Sequence, residues 1–137
     1  MPIHITPDGG GVVVPHEATD GVISFVEQSM EPRHLIGGHV HTRNDVWIYV
    51  LDGEVGARVG DEEAVAKRGE YLLKPRGIPH AMWNPGDTPN RFIEILTPGE
   101  GDGFFREPEL NDEAWERHGI VWFDDWTDDL KKRYGLT

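Results

Sequence analysis

Short apolar runs of about strand length, separated by turn residues, occupy the chain up to about residue 98. These runs are rich in β-branched and aromatic side chains, which favour strands, and Gly and Pro bound them. Many short strands at regular spacing are typical of an antiparallel sandwich or barrel. The runs read GVVVP, GVISFVEQ, DVWIYVL, EVGARVG, EEAVAKRG, EYLLKP, HAMWN and RFIEILTP.

Two segments between these runs, VGDEE and NPGDTPN, predict hairpin turns. Gly and Pro supply the backbone angles that tight turns need. Asn84 could orient a ligand, although we expect it to begin the second turn. No internal repeat, linker or low-complexity tract divides the sequence. A single domain over residues 1–137 is therefore predicted, with its barrel core at about 20–98.

The pattern changes after about residue 105, where a helical tail is predicted over about 106–137. The segment LNDEAWERHG predicts a short helix that Asn111 or Asp112 caps and Gly119 ends. The segment DDWTDDLKKRYG predicts a second helix. Its Asp residues gather near the start and its Lys and Arg near the end, as the helix dipole favours. One face of this helix is apolar: Trp126, Leu130 and Tyr134.

The tail is strongly aromatic. Because such short helices are unstable in isolation, its aromatic side chains must pack on another surface. A lid over the barrel mouth and a contact with a second subunit are equally consistent with this requirement. The aromatic residues are Phe104, Phe105, Trp115, Trp122, Phe123 and Trp126.

Composition narrows the classes of function. The formal net charge of -12 would repel nucleic acid phosphates and anionic membranes, so neither is an expected partner. The absence of cysteine excludes disulfides, thiolate ligands and a cysteine nucleophile. No apolar run is long enough to span a bilayer, and the N-terminal segment lacks the pattern of a secretory signal. We expect a soluble, cytoplasmic protein.

Three histidines form a candidate metal site. His39 and His41 are two residues apart in a predicted strand, so both side chains point to the same face. His80 opens a later strand, after a turn at Pro75 and Gly77, and a neighbouring strand could bring it opposite the pair. Neutral imidazole is a good ligand for Fe(II), Cu, Ni and Zn and a weaker one for Mn(II). The predicted cofactor is a divalent transition metal, with Fe(II) favoured.

These residues resemble two motifs of the cupins, in particular the small, single-domain, quercetin-dioxygenase-like cupins. The second motif, G-x5-P-x-G-x2-H-x3-N, is complete, at Gly69, Pro75, Gly77, His80 and Asn84. The first, G-x5-H-x-H-x(3,4)-E-x6-G, is matched at His39, His41 and Gly53. The resemblance implies an all-β fold, the double-stranded β-helix (jelly roll) of the cupin barrel, here with a short C-terminal helical extension. It also implies a homodimer.

The first motif departs from the family pattern at two positions. Arg33 stands at its leading glycine, and Val46 stands at its usual metal-binding glutamate. The resemblance therefore implies metal binding by the three histidines and leaves the fourth ligand open. Asp45 is a candidate, although strand alternation turns it to the opposite face unless a bulge intervenes. Three neutral ligands would leave a divalent ion strongly charged, with about three positions free for an anionic substrate, water or O2.

The predicted substrate cavity lies inside the barrel. Val46, Ile48 and Val50 share the inward face of one strand, and Met82 follows the third histidine at strand spacing. An apolar cavity of this kind suits a small organic molecule better than a sugar. His34 is a further candidate at the cavity mouth, although a surface position is the stronger expectation.

Other conspicuous residues have simpler expected roles. Trp47 and Tyr49 have a parity opposite to Val46, and we expect them to pack between the sheets or at a dimer interface. His4, His16 and His118 show no partner pattern and are predicted to be solvated.

The resemblance and the three histidines predict a metal-dependent enzyme that acts on a small organic molecule. The leading expectation is dioxygenase-type oxidation of an enolizable or phenolic substrate. One alternative is a cyclase, isomerase or epimerase that uses the metal as a Lewis acid without O2, although few acid or base candidates are evident inside the barrel.

Two further alternatives are not enzymatic. The chain could be a small-molecule binding or sensor module, or its histidines could be an inherited feature of the scaffold that binds no metal. A DNA-binding regulator is disfavoured, because no basic helix-turn-helix accompanies the domain.

Overall fold

Two antiparallel sheets enclose a common core. The computed structural model describes residues 11–137, so the prediction for His4 lies outside the described residues. The strands are, in chain order, β1 (Gly11–Val14), β2 (Ser24–Gln28), β3 (Leu35–His41), β4 (Asp45–Asp52), β5 (Glu54–Val59), β6 (Glu62–Lys67), β7 (Tyr71–Lys74), β8 (His80–Trp83), β9 (Arg91–Thr97) and β10 (Ile120–Trp122). The first sheet has the order β1-β2-β9-β4-β7, and the second has the order β10-β3-β8-β5-β6.

The connectivity is that of a double-stranded β-helix. Consecutive strands alternate between the two sheets from β2 to β5, and they alternate again from β6 to β10. The β5–β6 hairpin lies between these two series, so the chain winds forward and then back around the same barrel. The predicted all-β jelly roll is confirmed.

The two predicted hairpin turns have different outcomes. The turn between β5 and β6 is confirmed, and Gly60 within it has a φ of 60°. The hairpin predicted at NPGDTPN is wrong, because β8 and β9 lie in different sheets. Asn84 fixes this crossover: its Oδ1 accepts from the Gly86 N–H (2.9 Å), and its Nδ2 donates to the carbonyls of Met30 (3.0 Å) and Thr88 (2.8 Å).

An apolar core fills part of the space between the sheets. It joins inward residues of β4 and β9 in the first sheet to those of β5, β6 and β8 in the second. Burial of one such large side chain contributes about 1.5–3 kcal/mol, so this core holds the two sheets together. Its buried members are Met30, Ile48, Val50, Val55, Ala57, Ala66, Met82 and Phe92.

Arg33, which stands at the leading glycine of the first motif, adopts a backbone conformation that favours glycine. Its φ is 62°, in the left-handed region that glycine adopts without strain. Its backbone N–H donates to the Asn84 carbonyl (3.0 Å), and its carbonyl accepts from the Thr137 N–H (2.9 Å). The turn is therefore retained with arginine in it, at a cost of about 1–2 kcal/mol relative to glycine.

The tail contains both predicted helices, α1 (Asp112–Arg117) and α2 (Thr127–Tyr134). Asn111 caps α1, because its side chain accepts from the Ala114 N–H (3.0 Å). Gly119 and Gly135 follow the two helices with φ values of 69° and 62°. A 3-10 segment, Gly99–Arg106, connects the barrel to this tail.

Two parts of the tail pack on the barrel in ways the sequence did not reveal. The strand β10 between the helices was not predicted; it pairs with β3 and so extends the second sheet. Helix α2 lies against the outer face of that sheet, where its buried Leu130 packs with Leu35, Ala81 and Trp83. The shared apolar face predicted for α2 is this contact surface, with Trp126 and Tyr134 packed beside it.

The outer face of the first sheet carries exposed aromatic side chains. Tyr49 and Tyr71 are 43% and 65% exposed, and the rings of Trp47 and Tyr71 lie 5.7 Å apart. Trp47 and Tyr49 therefore do not pack between the sheets; their place at a dimer interface stays a prediction, as does the homodimer. Among the described residues, no helix has the length and apolar character needed to cross a membrane.

Candidate metal centre

Strand pairing brings the three predicted histidines together. His39 and His41 lie on the inward face of β3, and the pairing of β3 with β8 sets His39 directly opposite His80. All three side chains are buried, and each offers one nitrogen within 4.8 Å of the others. His41 and His80 have nearly parallel rings, 5.2 Å apart.

Backbone carbonyls orient two of the rings. The Nδ1 atom of His39 lies 2.8 Å from the Gly37 carbonyl, and the Nδ1 of His80 lies 3.3 Å from the Ile78 carbonyl. When both Nδ1 atoms carry the proton, both Nε2 lone pairs are free. These two Nε2 atoms are 3.1 Å apart, close enough for both to bind one ion.

Burial keeps these imidazoles neutral. Loss of solvation, reinforced by the positive charge of Lys74, lowers the pKa of His39 from 6.5 to about 4 and that of His41 to about 2. The same two causes lower the pKa of His80. At neutral pH all three rings therefore present lone pairs.

The residues present fit a divalent metal. Ligand nitrogens about 2.0–2.1 Å from an ion, at right angles around it, lie about 3 Å from one another, as the Nε2 atoms of His39 and His80 do. Two lone pairs directed into the same space repel each other unless one cation accepts both. Carbonyl contacts at the opposite nitrogen are also the usual way in which proteins orient metal-binding histidines. A three-histidine cluster of this kind supports a divalent ion, whose identity the geometry leaves open.

Asp45 does not join the histidines. Its carboxylate accepts from the Arg76 N–H (2.8 Å) and from the Arg76 guanidinium (3.3 Å), at the surface. The hydrogen bond from the Arg76 backbone, followed by that from its guanidinium, lowers the pKa of Asp45. Its neighbour Val46 is fully buried and points inward. Strand alternation without a bulge therefore turns Asp45 to the opposite face, as expected.

A buried ion pair lies near the histidines. Lys74 and Glu94 are 1% and 4% exposed, and the Lys74 Nζ lies 3.7 Å from the Glu94 Oε1. The Lys74 Nζ also donates to the Met82 Sδ at 3.4 Å. Burial lowers the pKa of Lys74, and the Glu94 carboxylate opposes that shift. The expectation that few acid or base groups lie inside the barrel is therefore wrong.

A cavity of about 440 Å³ opens onto this centre. His39 and His41 of the metal centre line it, together with Met82 and Glu94. Four aromatic residues of the tail line it as well, so this part of the tail covers the barrel mouth, whereas contact of the tail with a second subunit stays a prediction. The remaining lining residues are Gln28, Ile36, Phe104, Phe105, Glu107, Leu110, Trp115, Ile120 and Trp122.

Trp122 links this wall to the metal centre. The pairing of β10 with β3 sets it opposite His39, and the two rings are 4.4 Å apart. Trp115 lies 5.5 Å from Trp122 on the same wall. Close contact of β10 with β3 is helped by Gly38, where any Cβ atom would overlap the Phe123 ring.

Only one of the predicted cavity residues lines the cavity. Met82 does so, whereas Val46, Ile48 and Val50 are fully buried in packed side chains of the interior. The prediction was wrong for these three because inward orientation on a strand places a side chain in the core as readily as beside a cavity. His34 is exposed and does not line the cavity, which agrees with the surface position expected for it.

The sequence contained a signal for the residues that were missed. Within β9, Glu94 shares its parity with Phe92 and Leu96, both of which are buried. Within β7, Lys74 shares its parity with Leu72. A charged residue on the inward face of a strand is rare unless it is paired. The two charges together therefore predict a buried pair.

Two histidines predicted to be solvated have partners instead. The Nδ1 of His16 lies 2.8 Å from the fully buried carboxylate of Asp102, which also accepts from Arg106. The Nε2 of His118 lies 2.8 Å from Glu107, at the rim of the cavity. The His16 pair joins segments 86 residues apart, and the His118 pair spans 11 residues, so neither followed from the local pattern.

A curated protein is similar in sequence to part of this chain. "Tetracenomycin polyketide synthase protein TcmJ" of Streptomyces glaucescens is 31% identical over 81 residues, which are 59% of this chain and 53% of that protein. The match thus spans about half the length of this relative.

Solved structures share the fold. The TT1209 protein from Thermus thermophilus matches with a TM-score of 0.55 and 27% identity, over 70% of this chain and 90% of that one. A Klebsiella pneumoniae protein with a double-stranded beta-helix domain matches with a TM-score of 0.59 and 20% identity, over 88% and 91% of the two chains. The model of the cupin domain family matches residues 26–96, which are just over half of the sequence. The chain belongs to the cupin family.

Proposed function

We infer that this cupin is a metal-dependent enzyme acting on a small organic molecule that is enolizable or phenolic. One observation carries this inference: three neutral, buried histidines converge, and two of them, His39 and His41, line a cavity of about 440 Å³. A site with several free positions on a strongly charged ion favours substrates that bind as oxygen anions.

The chain's own residues would divide the work. His39, His41 and His80 would hold the ion through the nitrogens that converge. A bound divalent ion supplies Lewis acidity that stabilises negative charge on a substrate oxygen. Trp122 and Trp115 offer flat apolar surfaces to a planar molecule and, with the phenylalanines of the tail, exclude water from the centre.

The reaction class best supported is carbon–carbon ring closure or isomerisation of a molecule with several carbonyl groups, without O2. Similarity to a polyketide synthase protein supports this class, because polyketide chains carry repeated, readily enolized carbonyls. The buried carboxylate of Glu94 on the cavity wall also supplies an acid–base group that such a reaction needs.

Dioxygenase-type oxidation is the second candidate. Val46 at the usual glutamate position favours it, since a centre of three histidines leaves room for both an anionic substrate and O2. Fe(II) would be the ion expected for this chemistry, whereas Zn, Ni, Mn or Cu would also serve as a Lewis acid.

The test is metal content followed by oxygen uptake. Elemental analysis of protein purified without chelator should find a transition metal, and the His39→Ala/His80→Ala variant should lack it. Ultraviolet difference spectra with 2,4-pentanedione should show enolate binding only in the metal-loaded wild type. Wild-type protein that takes up no Fe(II), Ni(II), Mn(II) or Zn(II) would refute the proposal. Oxygen consumption during turnover would select the second candidate over the first.

A further inference from the structure

The Lys74–Glu94 pair is the part of the cavity that the metal centre does not explain. Both side chains are almost completely buried, and their charged atoms are 3.7 Å apart. Glu94 lines the cavity, whereas Lys74 lies behind it and donates to the Met82 sulfur. The carboxylate is therefore the member of the pair that a cavity-bound molecule meets.

Strand register explains how the pair reaches this place. β7 and β9 flank β4 on its two sides: Lys74 lies opposite Val46, and Glu94 lies opposite Ile48. Because both β4 residues are apolar, the two charged side chains approach each other across them. The carboxylate that the family motif places on β4 is thus absent there, and a different carboxylate enters the interior from β9.

Burial of this pair needs a reason beyond stability. Two charges removed from water lose solvation that their mutual attraction only partly restores, and apolar residues of similar size are often as stable. No direct hydrogen bond joins the two at 3.7 Å, and the thioether of Met82 is a weak acceptor. A charged pair under such conditions on a cavity wall is typical of a group that reacts.

We propose that Glu94 accepts a proton from the substrate, and that Lys74 is the positioning residue that holds its carboxylate at the cavity wall. This inference rests on the proposed function, because the acidic substrate lies at the three-histidine centre. A substrate C–H or O–H bond breaks, its electron pair stays on the substrate as an enolate or phenolate, and an O–H bond forms on Glu94. The proton returns to carbon, or to a departing hydroxide as water, so no oxidant is needed.

Glu94 is distinct from the metal ligands. The three candidate ligand atoms that lie within 4.8 Å of one another belong to the histidines, and the Glu94 carboxylate lies outside this group. Its charged partner is Lys74. Loss of the carboxylate should therefore leave the bound metal in place. Metal content thus separates a proton acceptor from a fourth ligand.

Deuterium exchange tests the proton acceptor. The protein would be loaded with Zn(II), which has no redox chemistry, so that oxygenation cannot contribute. Exchange at the central carbon of 2,4-pentanedione in D2O would be followed by NMR above the buffer rate. We expect Glu94→Gln to lower the protein-catalysed rate at least about 100-fold. Its zinc content and its ultraviolet-detected enolate binding should equal those of the wild type.

The outcomes separate the two proposals. Exchange at the wild-type rate in Glu94→Gln, or loss of zinc together with exchange, would overturn the role given to Glu94. Wild-type protein that binds zinc and probe but does not catalyse exchange would overturn it as well. Wild-type protein that binds no metal would instead refute the proposed function.

Lys74 needs a readout that a merely structural role would not move. Lys74→Met removes the cation beside Glu94, which should shift the measured pH midpoint of exchange upward. The bound zinc is present in the wild type and in the variant, so a difference between their midpoints reports the loss of the Lys74 charge. An unchanged midpoint with a lower rate at every pH would contradict the positioning role. The Lys74→Met/Glu94→Gln variant, with no unpaired charge, should fold, bind zinc and lack exchange.

Discussion

Two regions of one barrel interior follow the same strand alternation and have opposite chemistry. Ile48, Val50 and Phe92 belong to a cluster of buried apolar side chains that pack on one another. Around the metal centre the inward side chains include the three histidines, Lys74 and Glu94, which are buried to a similar degree. Met82 belongs to both regions, since it packs in the core and lines the cavity.

The difference shows which region holds the barrel together and which one performs chemistry. Apolar side chains gain free energy from burial wherever the alternation turns them inward. Buried titratable side chains lose solvation and need partners. The titratable side chains His39, His41 and Glu94 border the cavity, so the cost of burying them is accompanied by a place where a ligand can bind.

The largest effect on this comparison is expected from breaking the buried ion pair. Lys74→Met leaves Glu94 charged and unpaired, which should lower the free energy of unfolding by about 3–5 kcal/mol. Lys74→Met/Glu94→Gln should lose much less, because no charge is left alone. Urea unfolding of the metal-free proteins measures both values. A double variant less stable than the single variant would show that the pair itself stabilises the barrel.

A substitution in the apolar region should affect stability without affecting the site. Ile48→Ala leaves a cavity in the packed core and should cost about 2–5 kcal/mol of unfolding free energy. Its metal content, measured by elemental analysis on the folded protein, should equal that of the wild type. Loss of metal at full folding would mean that the two regions are not independent.

Acidification should weaken the polar region selectively. Because burial lowers the pKa of His39 to about 4 and of His41 to about 2, the folded metal-free protein leaves them neutral while the unfolded chain protonates them below about 6.5. Their contribution to stability is complete above that pH and is lost as the pH falls. For each of the two histidines, the free energy of unfolding should fall by about 1.4 kcal/mol as the pH falls from roughly 7.5 to 5.5.

Urea unfolding of metal-free protein across this range tests the pH prediction. The unfolding free energy of the His41→Asn variant should depend less on pH than that of the wild type. The difference between the two proteins separates the contribution of His41 from that of the acidic surface residues. Identical dependence in the two proteins would contradict a buried, neutral His41.

The smallest effect is expected at the aromatic wall. Trp122→Ala removes the ring beside His39 and should weaken binding of a flat phenolic probe, 2,4-dihydroxyacetophenone, by about 0.5–1.5 kcal/mol. The matched control is Trp47→Ala on the outer face of the first sheet, which should leave binding unchanged. Calorimetric titration of the metal-loaded proteins gives both affinities. Equal loss of affinity in the two variants would show that the aromatic wall does not contact the bound probe.

Local patterns were sufficient for much of the fold and for the core of the site. Alternation of period two placed His39 and His41 on one face and turned Asp45 away from it. Capping residues and terminal glycines located both tail helices. These features depend on neighbours a few residues apart, which is the range over which a sequence pattern acts.

Features that depend on distant segments could not be predicted in this way. β10 became a strand because the edge of β3 was open to it, and the segment at 84–90 crosses between sheets although its composition is that of a hairpin turn. Val46, Ile48 and Val50 point inward as expected, yet only the arrangement of both sheets decides whether the space beside them is filled.

The sequence by itself determined a cupin barrel with three histidines of matching parity and an aromatic tail. The tertiary structure decided that the tail lines the cavity, that the missing motif glutamate has no substitute at Asp45, and that Lys74 and Glu94 meet inside the barrel. The physical reason is that alternation fixes only the face on which a side chain lies. Its partner, its burial and its pKa are set by strands far away in the chain.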